Sequence, residues 1–170
     1  MGDIFKEQIV KRKPTARDTA IRLGLIMVVV LIIMVAILLG AGQFVVVIAF
    51  AVGYGAWFVM GFLDIEYEYV FTNGDLDIDV IYRKSRRKRL FNGHVNTFEI
   101  MAHVEDMTHA GAFQTALEVR DYSSGVVGPN TYAFLTTHKN KLVKIIIEPN
   151  EMMMKAISTV LTRRKLHIKP

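Results

Sequence analysis

Six of the seven residues from Arg83 to Arg89 are basic: Arg83, Lys84, Arg86, Arg87, Lys88 and Arg89. Cations crowded this closely suit an anionic surface, and each Lys or Arg near anionic lipid contributes about 1 kcal/mol of attraction. A structural reading stands beside that one. Just upstream, Asp75, Asp77 and Asp79 alternate with Leu76, Ile78 and Val80. Arg87 and Arg89 across a strand pair from those carboxylates would form ion pairs of roughly 0.2–1 kcal/mol each. The run also works as a topology determinant, since short loops rich in Lys and Arg stay on the cytoplasmic side. The aspartate row superficially resembles a calcium loop. Such a loop needs Gly at its sixth position and Glu at its twelfth, and Val80 and Arg86 stand there instead. In a strand, alternate carboxylates share a face about 7 Å apart, too regular to wrap one ion.

The remaining reactive side chains point away from catalysis. The five histidines, His94, His103, His109, His138 and His167, have no metal-ligand spacing, and the chain has no Cys. A structural zinc site therefore has no ligand set, and neither a disulfide nor a thiol-linked lipid anchor is available. Ser123-Ser124-Gly125 lacks the flanking glycines of a nucleophile elbow and reads as a turn. Met152-Met153-Met154 offers adaptable apolar surface, but core packing explains it as well. No glycine-rich phosphate loop is present. Nucleic-acid binding is disfavoured because no aromatics interleave with the basic run. We expect no enzyme, no cofactor and no metal.

These residues are positioned by an unusual neighbour. Leu23 to Leu63 contains no charged residue, a stretch that would extend about 60 Å as one helix, twice the hydrocarbon thickness of a bilayer. Gly40-Ala41-Gly42-Gln43 breaks it near the middle. The run is expected to form a two-span transmembrane hairpin, 23–40 and 43–63. Residues 1–22 form a basic flank, with Lys6, Lys11, Arg12, Lys13, Arg17 and Arg22 against Asp3, Glu7 and Asp18. That excess of positive charge holds the N-terminus in the cytoplasm, and two spans return the C-terminus there. The alternative is a cleaved secretory signal over residues 1–42, which leaves the later residues on the same side. Neither span holds an ionisable residue, which argues against transport or proton relay. Ala36 and Gly40, Ala49 and Gly53, and Ala51 and Gly55 are each four apart, a spacing that lets helices approach closely. They serve either the hairpin's own packing or association with a second copy. Tyr54, Trp57, Phe58 and Phe62 fit the interfacial end of the second span.

Residues 64–170 are expected to form one cytoplasmic domain, holding 15 of the 21 basic and 13 of the 16 acidic residues. Ile65 to Phe71 and Asp75 to Tyr82 alternate as strands around Asn73-Gly74, a strong hairpin signal. A second turn is expected at Asn92-Gly93 and a strand over Val95–Val104. Residues 105–114 read as loop, Thr115–Tyr122 as a strand and residues 123–130 as a turn. Thr131–Thr137 and Leu142–Ile147 form a further hairpin. Pro149-Asn150 then opens a helix with Asn150 as N-cap. Met153, Ala156, Ile157, Val160 and Leu161 make one apolar stripe, and Arg163, Arg164 and Lys165 suit the helix end. The fold class is α+β, a curved antiparallel sheet of about six strands capped by an amphipathic helix.

The Tyr-rich first strand, the Asn-Gly turn, the charged second strand, the basic hairpin and the unit Lys144 to Glu151 running into a helix resemble a bacterial two-pass membrane family with a pleckstrin-homology-like (PH-like) cytoplasmic domain. The resemblance implies a strongly bent sheet with a capping helix and a role in binding rather than chemistry. The expected protein is a multi-pass component of the cell membrane, both termini cytoplasmic. Its domain would take anionic lipid headgroups or a protein partner at the inner leaflet. The alternative is a structural subunit assembling through the hairpin, with another membrane protein or as a homo-oligomer.

Overall fold

The computed structural model describes residues 4–162 and 165–167. Its first element comes from the basic flank. Phe5–Lys11 forms strand β1, which pairs antiparallel with β2 (Ile65–Thr72) from Phe5 opposite Thr72 to Lys11 opposite Glu66. The two apolar helices are thus an insertion between two neighbouring strands. By contact the chain divides into a sheet unit of residues 1–13, 66–81 and 86–170 and an apolar unit of residues 14–65 and 82–85.

In the apolar unit, α1 (Ala16–Leu38) starts on a capping box. Thr15 Oγ1 accepts from the Asp18 amide at 3.2 Å, and the Thr15 amide donates to Asp18 Oδ2 at 2.8 Å. Gly40 turns the chain at φ 72°. α2 (Val45–Met60) lies between 3-10 turns at Gly42–Phe44 and Gly61–Leu63. Ala16–Leu38 and Gly42–Leu63 are each long and apolar enough to cross a membrane. The charges of Arg17, Asp18 and Arg22 fall within the first turns of α1, so that helix begins before the uncharged run does.

In the sheet unit, β2 and β3 (Asp75–Tyr82) meet at Asn73 and Gly74, whose φ of 51° and 105° suit a two-residue hairpin. Period-two patterning buries Leu76, Ile78 and Val80 and leaves the aspartates on the other face. β4 (Arg86–His94) completes a sheet ordered β1-β2-β3-β4. The expected turn at Asn92-Gly93 is absent, because β4 runs through it and Asn92 Nδ2 donates to Asp77 Oδ1 at 2.5 Å across the sheet. The expected strand over Val95–Val104 is likewise interrupted: Val95–Thr97 is a 3-10 turn, stabilised as Thr97 Oγ1 donates to the His94 carbonyl. Only Ile100–His103 is extended, as β5.

A short helix α3 (Ala110–Phe113) lies within the expected loop. β6 (Glu118–Asp121), β7 (Tyr132–His138), β8 (Lys141–Ile147) and β9 (Leu166–His167) form a second sheet with β5, in the order β6-β8-β7-β5-β9. The β6–β8 and β5–β9 pairs are parallel. Between them comes α4 (Glu151–Val160), where Asn150 Oδ1 accepts from the Met153 amide at 2.8 Å. Arg163 and Arg164 lie outside the described residues.

Aromatic rings join the two sheets. Phe134 of β7 stacks on Phe98 at 4.0 Å and lies 5.6 Å from Phe91 of β4. Met153 and Ile157 of α4 close this core, as the apolar stripe requires. On the opposite face of β7, Ala133 and Leu135 pack with Ala102 and Phe113. β1 belongs to the same body: the Gln8 amide donates to the Glu148 carbonyl at 2.9 Å and accepts from the Asn150 amide at 2.7 Å. One side chain thereby ties the edge strand to the start of α4. The chain is α+β, two apolar helices set between β1 and β2, then two sheets, the second of mixed direction, and a C-terminal helix, in keeping with a PH-like fold.

Candidate functional site

The six basic residues do not act as one patch, because the fold gives them three different environments. Arg83 and Lys84 form the β3–β4 turn with φ of 53° and 55°, the left-handed region that long side chains avoid. The Arg83 guanidinium carbon lies 4.1 Å from the centroid of Phe58, 5.4 Å from Phe62 and 5.6 Å from Trp57. A planar cation over ring faces is attracted by about 0.5–2 kcal/mol. Space for it comes from Gly61, where a Cβ would fall 2.7 Å from Arg83 Nε. Beside it the Arg83 amide donates to the Asp64 carbonyl at 3.4 Å, and Asp64 Oδ1 pairs with Arg22 at 3.0 Å. The turn of a β-hairpin is therefore built into the end of the second apolar helix.

Arg87 and Arg89, alternate residues of β4, are drawn to carboxylates. Arg89 spans Asp77 and Asp79 at 3.2 and 3.0 Å, as the cross-strand reading expects. Arg87 instead reaches Glu68 of β2 at 2.9 Å. Glu68 is 1% exposed, and burial pushes its carboxyl above the ordinary value despite the Arg87 charge, with the Glu7 carboxylate beside it acting in the same direction. Lys84, Arg86 and Lys88 are exposed, and no carboxylate pairs with them among the described residues. The cations that remain available are thus Lys84, Arg86 and Lys88, not the whole run.

The other residues with chemical potential are absorbed locally. Ser123 Oγ donates to Asp121 Oδ1 at 2.6 Å and accepts from the Gly125 amide at 3.1 Å, the bonding of a turn. His103 is buried, its Nε2 3.0 Å from the Gly128 carbonyl. His109 Nδ1 lies 2.8 Å from Asp106 Oδ2, and its ring stacks on His167 at 3.8 Å. That contact lowers the Asp106 carboxyl to about 2. No group of three metal-ligating side chains converges among the described residues. Met153 is core, whereas Met152 is exposed.

The small residues of the apolar helices also separate. Ala36 is buried, and Gly40 is required by its positive φ. Ala49 is half-buried and Ala51 exposed. A Cβ at Gly53 or Gly55 would meet nothing within 4 Å, so packing within this chain does not demand either glycine.

Sequence reasoning missed β1 and the Arg83 stack. β1 offered only a short, weak alternation, Phe5 to Lys11, far along the chain from its partner. For Arg83, the signal was the aromatic cluster that ends the apolar run. Across residues 2–167 the chain matches the model of one family, described as the bacterial PH-like domain (DUF6106). No curated protein and no solved structure matches it.

Proposed function

The chain belongs to the bacterial PH-like domain family, and from that premise we propose a non-enzymatic, two-pass membrane protein. Its PH-like domain binds anionic lipid headgroups at the inner leaflet, a protein partner being the other candidate ligand. The observation that carries this reading is the stack of Arg83 on Phe58, Phe62 and Trp57. Aromatic side chains at the end of an apolar span favour the headgroup level, so the β3–β4 turn is held at that level too. Lys84, Arg86 and Lys88 follow with their charges uncompensated. A two-span topology with both flanks on one side is supported by β1 and β2. These strands pair in one sheet, so Lys11 and Glu66 share a compartment, and the helices between them cross the bilayer an even number of times. The basic flank sets that compartment as the cytoplasm.

The test uses the intact chain, because β1 and the rest of its sheet lie on opposite sides of the apolar helices in sequence. Reconstituted in phosphatidylcholine vesicles, it should select a spin-labelled anionic lipid over its neutral counterpart. Changing Lys84, Arg86 and Lys88 to Ser, or raising the salt, should abolish the selection. Equal affinity for both lipids in the unaltered chain would sink the lipid reading and leave the protein partner.

A second reading, assembly through the hairpin, is favoured by Gly53 and Gly55, whose open Cβ positions leave a face on which another helix can approach closely. Gly53→Leu with Gly55→Leu should then reduce the crosslinked or co-purified assembly in membranes. An unchanged assembly state would reject it.

A further inference from the structure

We propose that the β6–β7 loop is a second membrane contact, its tip Val126-Val127 inserting into the lipid interface. This rests on the membrane-anchored reading above, but not on its preference for anionic lipid. The argument begins with strand direction. The chain leaves the sheet unit at the C-terminal end of β1 and returns at the N-terminal end of β2. The β3–β4 turn lies at that same end, because β3 runs back along β2. So does the loop, since the Lys13 amide donates to the Ser124 carbonyl at 2.8 Å. Lys13 is three residues before the start of α1, a reach of about 11 Å at most.

The loop's root is rigid. Tyr69 Oη donates to the Tyr122 carbonyl at 2.5 Å, and the Ser124 amide donates to Glu148 Oε2 at 3.1 Å. The far side is fixed by the Gly128 amide on Thr131 Oγ1 at 2.8 Å. On this polar frame, Gly125 turns at φ 82°. Val126 and Val127 follow, 47% and 53% exposed. A pair of valines held out in water gains nothing from the fold. At a lipid interface the same pair is sheltered, and Lys13, bonded to the loop through its backbone, is a cation suited to headgroups.

The natural absence of cysteine permits a direct test. Single variants Val126→Cys, Leu117→Cys and Val30→Cys carry an environment-sensitive fluorophore in the full chain. Each is reconstituted in phosphatidylcholine vesicles containing a lipid spin-labelled high on its acyl chain. Leu117 is 77% exposed and precedes β6, at the opposite end of that strand from the loop; Val30 lies within α1. The label at Val126 should lose roughly half its emission, as expected for a group at interfacial depth, while that at Leu117 is unquenched. Emission at Val126 matching that at Leu117 overturns the inference. Val30, read in vesicles whose lipid is spin-labelled low on its acyl chain, then tells which claim failed: quenched there, only the loop contact is wrong; unquenched there, the anchoring is wrong and the loop contact with it.

Discussion

The turns at the two ends of β3 meet the same backbone requirement with opposite residues. Asn73-Gly74 supplies positive φ at little cost, since both residue types tolerate it. Arg83-Lys84 adopts φ of 53° and 55°, which costs about 1–2 kcal/mol for each ordinary residue. The β7–β8 turn at Lys139-Asn140 lies between these extremes. The cost at Arg83 is offset by its rings and by the room at Gly61. The first turn is chosen by folding alone. The second keeps residues that folding disfavours, which is expected where a site has another task.

Replacing glycine in the inexpensive turn should have the largest effect. Gly74→Val places a Cβ 2.6 Å from His94 Nε2 and 3.2 Å from Val160 Cγ1, at φ 105°. It should lower stability by roughly 3 kcal/mol in chemical denaturation; a loss below that of an ordinary surface change would deny the turn its structural role. Arg83→Ala removes the stack, at about 0.5–2 kcal/mol. Trp57, the single tryptophan, should report it as a shifted emission maximum, and identical spectra would mean that the stack does not form in the membrane. Lys84→Gly should go the other way, raising stability by about 1 kcal/mol while weakening anionic-lipid selection. Greater stability with undiminished selection would remove Lys84 from the site.

The smallest effect is expected at Glu68. Its folded carboxyl titrates above the ordinary value, so the unfolded chain releases that proton first. The stability tied to it is present at low pH and falls as pH rises through the folded value. Glu68→Gln should flatten that part of the profile. An unchanged slope would mean that the Arg87 charge, which favours the ionised form, cancels the effect of burial on this carboxyl.

Much of the sheet was legible because its strands obey a local rule. Alternation found β2 and β3, and Asn73-Gly74 found the turn between them. The stripe from Met153 to Leu161 gave α4, with its cap at Asn150. The failures share a cause, contacts distant along the chain. Asn92-Gly93 carries a hairpin signature, yet Asp77 holds Asn92 in an extended strand. Phe98 reads as mid-strand, but its ring stacks on Phe134 where the chain bends after the 3-10 turn. β1 was hidden because its partner lies beyond both apolar helices. In the basic run, composition located the residues but not their division. Sequence proximity offers Arg87 the aspartates of β3 as one set of partners, whereas it pairs with Glu68 of β2. Which cations stay unpaired depends on strand register, and composition does not encode register.

The insertion of two helices between β1 and β2 also fixes an order of events during synthesis. β1 leaves the ribosome first but has no partner until Glu66 emerges, roughly 3–11 seconds later at ordinary elongation rates. Both helices are made in that interval and, inserted as proposed, they reach the bilayer before the sheet can close. A chain that leaves one helix behind strands β1 on the far side from β2, and Gln8 never meets the start of α4. Under the proposed topology, the sheet closes only in molecules whose two helices have fared alike, and half-inserted chains cannot complete it.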